Sequence, residues 1–131
     1  MATPPVLASL DSLVAHHVGA GLDVSVARAG KPRQLAGVVD QAAYRILQEA
    51  LTNAARHGAG AARVELAFGE TALELTISNA VHGGGSPRSN GGHGLIGMRE
   101  RAVLLGGRLE TECLGGLFLV RAQLPYGGHT A

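Results

Sequence analysis

Residues 38–57, VVDQAAYRILQEALTNAARH, carry the strongest helical periodicity in the chain, and they constrain the fold more than any other segment. Leu47 and Leu51 lie one turn apart on the same face of this predicted helix. We expect Asp40 to be the N-cap and Gly58 to occupy the position just after the C-terminal end. A helix with one apolar face needs a second layer on which to bury that face.

The segments on either side of this helix are predicted to form the second layer. Residues 63–68 and 72–78 alternate apolar and polar side chains around a short turn, which predicts an antiparallel hairpin. Further helices are predicted at 6–18 and 94–105, and further strands at 22–28, 108–112 and 117–125. This order predicts an α+β fold in one domain, residues 1–131. In this two-layer α/β sandwich, three helices cover one face of a mixed, mostly antiparallel sheet.

The composition excludes several classes of function. A net charge of +1 gives no bias toward nucleic acid or an anionic membrane, and no apolar run is long enough to span a bilayer. A single cysteine, Cys113, excludes an internal disulfide bond, and the spacing of the six histidines matches no metal-ligand motif. We therefore expect a cytoplasmic domain that contacts neither nucleic acid nor membrane.

A polar stripe runs along the second half of the long helix. Glu49, Asn53 and His57 recur every fourth residue and therefore share one face, with Arg56 beside the last of them. A solvated helix face would explain this spacing. A functional site is the alternative, because asparagine is a poor helix former in the middle of a helix.

A glycine-rich stretch precedes the helix predicted at 94–105. Glycines that open a helix expose free backbone N–H groups at the positive end of the helix dipole, which is an arrangement suited to anions. Gly92 and Gly94 stand at this position. A glycine-rich turn carrying a flexible insertion would produce the same pattern.

Taken together, these motifs are more specific than either one alone. The order "QEALTNAARHG", a hairpin ending in Asn79, a glycine-rich loop and "GHGLIGMRER" resembles the ATP-binding catalytic domain of bacterial sensor histidine kinases. That domain is a member of the GHKL superfamily of ATPases, which have the Bergerat fold. The residues of both motifs are similar to those of the subfamily that works with NarL-type response regulators. The resemblance extends from about residue 8 to residue 125.

The resemblance implies a function in two-component signal transduction. The domain would bind ATP and Mg²⁺ and donate the γ-phosphoryl group to a histidine on a separate dimerisation domain, for relay to a response regulator. Dimerisation, phosphoacceptor and sensor regions would lie outside this chain, as would any membrane anchor of the full-length protein. The isolated domain is then expected to be a monomer that cannot phosphorylate itself.

The resemblance also assigns roles along the long helix. Asn53 would coordinate Mg²⁺, for which an amide oxygen is a suitable hard ligand. Glu49 would be a catalytic residue that supports the water shell of the metal. Arg56 and His57 would offset the charge of the polyphosphate.

The glycine-rich loop would contribute the remaining phosphate contacts. Residues 80–91 would form a lid over the nucleotide, with residues 83–85 as its hinge and Gly83 among the residues that bind the cofactor. After the lid, the resemblance implies cofactor contacts at Gly92, His93, Gly94, Leu95, Ile96 and Gly97. The glycines would let the backbone approach the phosphates, and Leu95 and Ile96 would begin the helix whose amides face them.

The residue at position 79 departs from the family pattern. The family has an aspartate here that accepts a hydrogen bond from the adenine 6-amino group, whereas this chain has Asn79. An amide oxygen still accepts, but without the extra strength of a charged acceptor, so we expect weak ATP binding. The NH₂ group could also donate, which would soften the discrimination for adenine. Asn79→Asp is expected to tighten binding.

Two other functions remain open from the residues. One is a serine kinase like the anti-sigma factors, which has the same fold and a different target. The other is a nucleotide-binding interaction module without catalysis. The family usually has a first glycine motif, Asp-x-Gly-x-Gly, whereas here Asn79 is followed by Ala80 and Val81 and the glycines come later. This altered motif would permit a module without catalysis.

Overall fold

The computed structural model describes the backbone of residues 6–33, 35–81 and 92–126, and the side chains of the same ranges apart from 6–9 and 92–94. The helices are α1 (Val6–Gly19), α2 (Gly37–His57) and α3 (Gly92–Leu104). The strands are β1 (Asp23–Gly30), β2 (Gly58–Phe68), β3 (Ala72–Val81), β4 (Arg108–Leu114) and β5 (Leu117–Pro125). The order of elements is the one predicted from periodicity.

Within the described ranges the strands form one five-stranded sheet in the order β1-β2-β3-β5-β4. β1 pairs with β2 in parallel, and the other neighbours pair antiparallel. Alternation buries one side of the three central strands: Leu73, Leu75 and Ile77 of β3 are buried, whereas Glu74 is exposed. The prediction of an α+β fold with a mixed, mostly antiparallel sheet is confirmed.

Helix α2 is the centre of the second layer. It packs on β2, β3 and β5, with α1 on one side and α3 on the other. Its own side chains Leu47 and Leu51 are fully buried. Its small buried residues Ala43 and Ala50 allow the helix to approach its neighbours closely. No helix in the described part of the chain combines the length and the apolarity needed to span a lipid bilayer.

The N-terminal end of α2 differs from the prediction. Ala36 is the N-cap, and no side chain caps the helix there. Asp40 lies one turn inside the helix, where its backbone N–H donates to the Ala36 carbonyl oxygen at 2.9 Å. The prediction of Asp40 as N-cap is therefore wrong: apolar Val39 is buried in the first turn and draws the helix start to an earlier residue.

The C-terminal end of α2 runs directly into β2. Gly58 follows the helix as expected, but it has extended backbone angles (φ −89°, ψ −177°) and its N–H donates to the Ala54 carbonyl oxygen. It pairs with Val81 across the sheet, and an irregularity in the register separates this pair from the one at Ala62. β2 therefore begins before residue 63, where alternation predicted its start.

Candidate functional site

The polar stripe of α2 passes from the interior to the surface. Asn53 is buried, with 7% of its surface exposed, whereas Glu49 is half-buried and Arg56 and His57 are exposed. Burying an amide in a helix that otherwise packs against a sheet is unfavourable unless the amide has a polar partner. Asn53 is therefore no part of a solvated helix face, which was one of the two interpretations of this spacing.

Asn79 lies at the end of β3 on the side of the sheet that faces the helices. It follows Leu75 and Ile77 in the alternation, pairs with Ala62 and Phe118 on the neighbouring strands, and is 5% exposed. Its Nδ2 donates to the Ala80 carbonyl oxygen at 3.1 Å. Asn79 is therefore a buried amide on the side of the sheet that faces the helices, in addition to the buried amide of Asn53 on α2.

Gly58 connects these two features. A Cβ atom at Gly58 would lie 2.7 Å from Asn79 Nδ2 and 2.6 Å from the Ala54 carbonyl oxygen, closer than real Cβ contacts. The side chain of Asn79 therefore lies against the C-terminal end of α2, where the polar stripe also ends. The structure brings together a strand end and a helix end that the sequence pattern could only describe separately.

Helix α3 packs against the long helix α2 in the layer of helices. Its backbone is helical from Gly92 through His93 and Gly94. Leu95 is buried in the same core cluster as Ala54, and Ile96 is 56% exposed. α3 therefore packs on α2, and Leu95 is the first of its described side chains to join the buried core.

Of the glycines to which the resemblance assigns a role, some lie within the described residues and some do not. Gly97 has no atom within 4 Å of the position that a Cβ would take, so close packing does not require a glycine there. Gly83, in the predicted hinge, and most of the predicted lid lie outside the described residues. The roles assigned to these glycines stay predictions, as do those of Glu49, Arg56 and His57.

Sequence reasoning missed Gly58 as part of the site and treated it only as a helix end. The signal that could have found it is the glycine placed directly after the polar stripe, at a position that enters a strand. In a strand interior, glycine often marks a close approach of another group. Here the approaching groups are the Ala54 carbonyl oxygen and the side chain of Asn79.

The shallow clefts on the opposite, open face of the sheet contain none of the candidate residues. They are lined by side chains of mixed charge, among them Arg121, Glu110 and Arg99. Arg121 lies 3.8 Å from Glu112, and both side chains are about half exposed. Within the described ranges, no group of three His, Cys, Asp or Glu side chains could hold a metal ion.

The chain is similar in sequence to two curated proteins. It is 34% identical over 111 residues to the sensor histidine kinase LnrJ of Bacillus subtilis, covering 83% of this chain and 27% of that protein. It is 33% identical over 92 residues to the signal transduction histidine-protein kinase/phosphatase DegS of Brevibacillus brevis, covering 68% of this chain and 24% of that protein. The chain thus spans about a quarter of the length of these relatives. No protein-family model matches it.

The fold is shared with solved histidine kinases. The structure of the Acinetobacter baumannii histidine kinase AdeS matches 89% of this chain and 64% of its own, with a TM-score of 0.66 at 14% identity. The histidine kinase domain of a blue-light activated kinase from Erythrobacter litoralis matches 94% of this chain and 62% of its own, with a TM-score of 0.70 at 19% identity. The TM-scores show a common fold, and the curated relatives add the similarity in sequence. The chain belongs to the sensor histidine kinase family.

Proposed function

We propose that this chain is the ATP-binding catalytic domain of a sensor histidine kinase of the NarL-associated type. It would bind ATP with Mg²⁺ between α2, the end of β3 and the start of α3. It would donate the γ-phosphoryl group to a histidine on the dimerisation domain of the same kinase, for relay to a response regulator. The observation that carries this proposal is a pair of buried amides. Asn53 lies in the second half of α2, and Asn79 lies on β3 against Gly58, the residue that follows α2.

The donor set fits a magnesium ion. Asn53 offers a buried amide oxygen, and Mg²⁺ takes few protein ligands because it keeps several waters and binds phosphate oxygens directly. The half-buried carboxylate of Glu49 lies one turn earlier on the same face, where it would accept hydrogen bonds from those waters. The ion would supply charge neutralisation at the polyphosphate.

The other side chains would bind and orient the nucleotide. Arg56 and His57 are exposed in the last turn of α2, where their side chains could reach the phosphates of a ligand at the helix end. The N-terminal amides of α3 would donate to the same oxygens. Phosphoryl transfer depends mainly on positioning and charge stabilisation, and this arrangement could supply both.

The first experiment is isothermal titration calorimetry of the 131-residue chain with ATP, with and without Mg²⁺. We expect weak, magnesium-dependent binding in the wild type and loss of that magnesium dependence in Asn53→Ala. Gln41→Ala is the matched control, because Gln41 is an exposed amide at the other end of the same helix. Binding that is independent of magnesium in the wild type would contradict the assigned role of Asn53.

The second experiment tests the transfer. The chain alone with γ-labelled ATP should show no labelled histidine, and addition of the dimerisation domain of the same kinase should produce it. Label on serine of a partner protein would instead favour the serine kinase. Nucleotide binding without any transfer to the added dimerisation domain would favour the non-catalytic module.

A further inference from the structure

The orientation of the Asn79 side chain is determined by its hydrogen bond. Nδ2 donates to the Ala80 carbonyl oxygen at 3.1 Å. Only the NH₂ group of an amide can face a carbonyl oxygen, because the amide oxygen has no proton to donate and would be repelled. One N–H of Asn79 is thus committed to the backbone, and Oδ1 is the side-chain atom that can accept a hydrogen bond from a ligand.

This orientation depends on the space left by Gly58. The missing Cβ of Gly58 would lie 2.7 Å from Asn79 Nδ2 and 3.1 Å from the Ala80 carbonyl oxygen, the donor and acceptor of that hydrogen bond. The glycine has a negative φ of −89°, so backbone strain does not explain its presence. The close approach of two groups does: the Ala54 carbonyl oxygen, 2.6 Å from the position that the Cβ would take, and the amide of Asn79 at 2.7 Å.

We propose that Gly58 is a positioning residue for recognition of the nucleotide base, an inference that rests on the proposed function. By leaving room for the hydrogen bond between Asn79 and Ala80, it keeps Oδ1 as an acceptor. The site then selects a purine with an amino group at position 6, which donates, over one with an oxygen there, which cannot. This sharpens the soft discrimination expected from the sequence, because one of the two N–H groups of Asn79 is committed to the Ala80 carbonyl oxygen.

The experiment compares the dissociation constants of Mg·ATP and Mg·ITP on the 131-residue chain by calorimetry. The two nucleotides have the same phosphates and sugar, so their ratio isolates the base. We expect ATP to bind about tenfold more tightly than ITP in the wild type, since a mismatched acceptor loses one hydrogen bond. In Gly58→Ala and in Asn79→Ala the ratio should fall to about one.

A double variant tests whether Gly58 acts through Asn79. Gly58→Ala should not change the ratio further when Asn79 is already alanine, because the group that it positions is gone. Gly37→Ala is the matched control, since a Cβ at this residue of α2 would meet no atom within 4 Å. Its ratio should equal that of the wild type. If Gly58→Ala still binds Mg·ATP about tenfold more tightly than Mg·ITP, the proposal is overturned.

The remaining outcomes are also decisive. Equal affinity of the wild type for both nucleotides would overturn this inference and leave the proposed function standing, whereas no binding of either would overturn both. If Gly58→Ala does not fold, as judged by circular dichroism, NMR of the wild-type Asn79 NH₂ group provides the test. Slow exchange of this group with solvent deuterium is expected, and fast exchange would overturn the proposal.

Discussion

At the scale of single residues, Asp40 is the side chain whose position is hardest to reconcile with its chemistry. It is 8% exposed, and its Oδ1 has no hydrogen-bond partner among the described residues. Burial raises the pKa of this carboxyl group above its ordinary value, because a charge is poorly solvated there. The ionised form is therefore a source of instability in the folded chain.

The pH dependence follows from the direction of this shift. A raised pKa means that the folded chain binds the proton more tightly than the unfolded chain, so stability falls as pH rises through the window between the two values. Asp40→Asn should raise the unfolding free energy by about 1 kcal/mol at neutral pH, and the gain should shrink as the pH is lowered toward about 4. Thermal unfolding across this range measures it. Asp23→Asn, at an exposed position of β1, is the control, and a gain that is constant with pH would contradict the argument.

Asn79→Asp separates binding from stability at one position. An aspartate keeps the acceptor and adds charge, so we expect tighter ATP binding and a preserved preference over ITP. It also replaces the NH₂ group that donates to the Ala80 carbonyl oxygen, and buries a carboxylate in its place. The melting temperature without nucleotide should therefore fall. Calorimetry and thermal unfolding measure the two effects, and an unchanged melting temperature would argue against the hydrogen bond.

At the scale of elements, the junction of α3 with β4 depends on few contacts. Arg99 Nε donates to the Leu109 carbonyl oxygen at 3.1 Å, which joins the helix to the edge strand of the sheet. Gly107 precedes β4, and a Cβ there would collide with the backbone of Gln123 on β5. These contacts join the C-terminal half of α3 to the sheet.

Arg99→Ala should destabilise the fold by about 1 kcal/mol, because it leaves the Leu109 carbonyl oxygen without this donor. That corresponds to a fall of a few degrees in melting temperature for a domain of this size. Arg101→Ala, an exposed arginine of the same helix, should change it much less. Equal effects of the two variants would show that the hydrogen bond contributes nothing to the junction.

At the scale of the whole molecule, stability comes from the apolar layer between the helices and the sheet. Leu47 is fully buried at its centre, whereas Leu104 is 83% exposed at the end of α3. Leu47→Ala should lower the unfolding free energy by about 2–5 kcal/mol, since it removes buried methyl groups and leaves a cavity. Leu104→Ala should change it by less than about 0.5 kcal/mol. Urea unfolding measures both, and similar losses would contradict the two-layer packing.

The sequence predicted the elements of this fold well because periodicity is a local property. Leu47 and Leu51 identify a helix face, and the alternation at 72–78 identifies a strand face, without any knowledge of their neighbours. The same local patterns did not reveal that β1 pairs in parallel with β2, because pairing direction depends on residues distant in the chain. The family could be recognised because its motifs are short and keep their order.

Local patterns along the chain specify the set of elements, the apolar faces and the chemical types available to a site. Three features follow from the packing of the folded chain: Asp40 is buried inside a helix, Asn53 lies in the interior, and Gly58 makes room for Asn79. Each of these depends on the distance between atoms of elements remote in sequence. Such distances result from the packing of the helices on the sheet, which no periodicity within a single segment records.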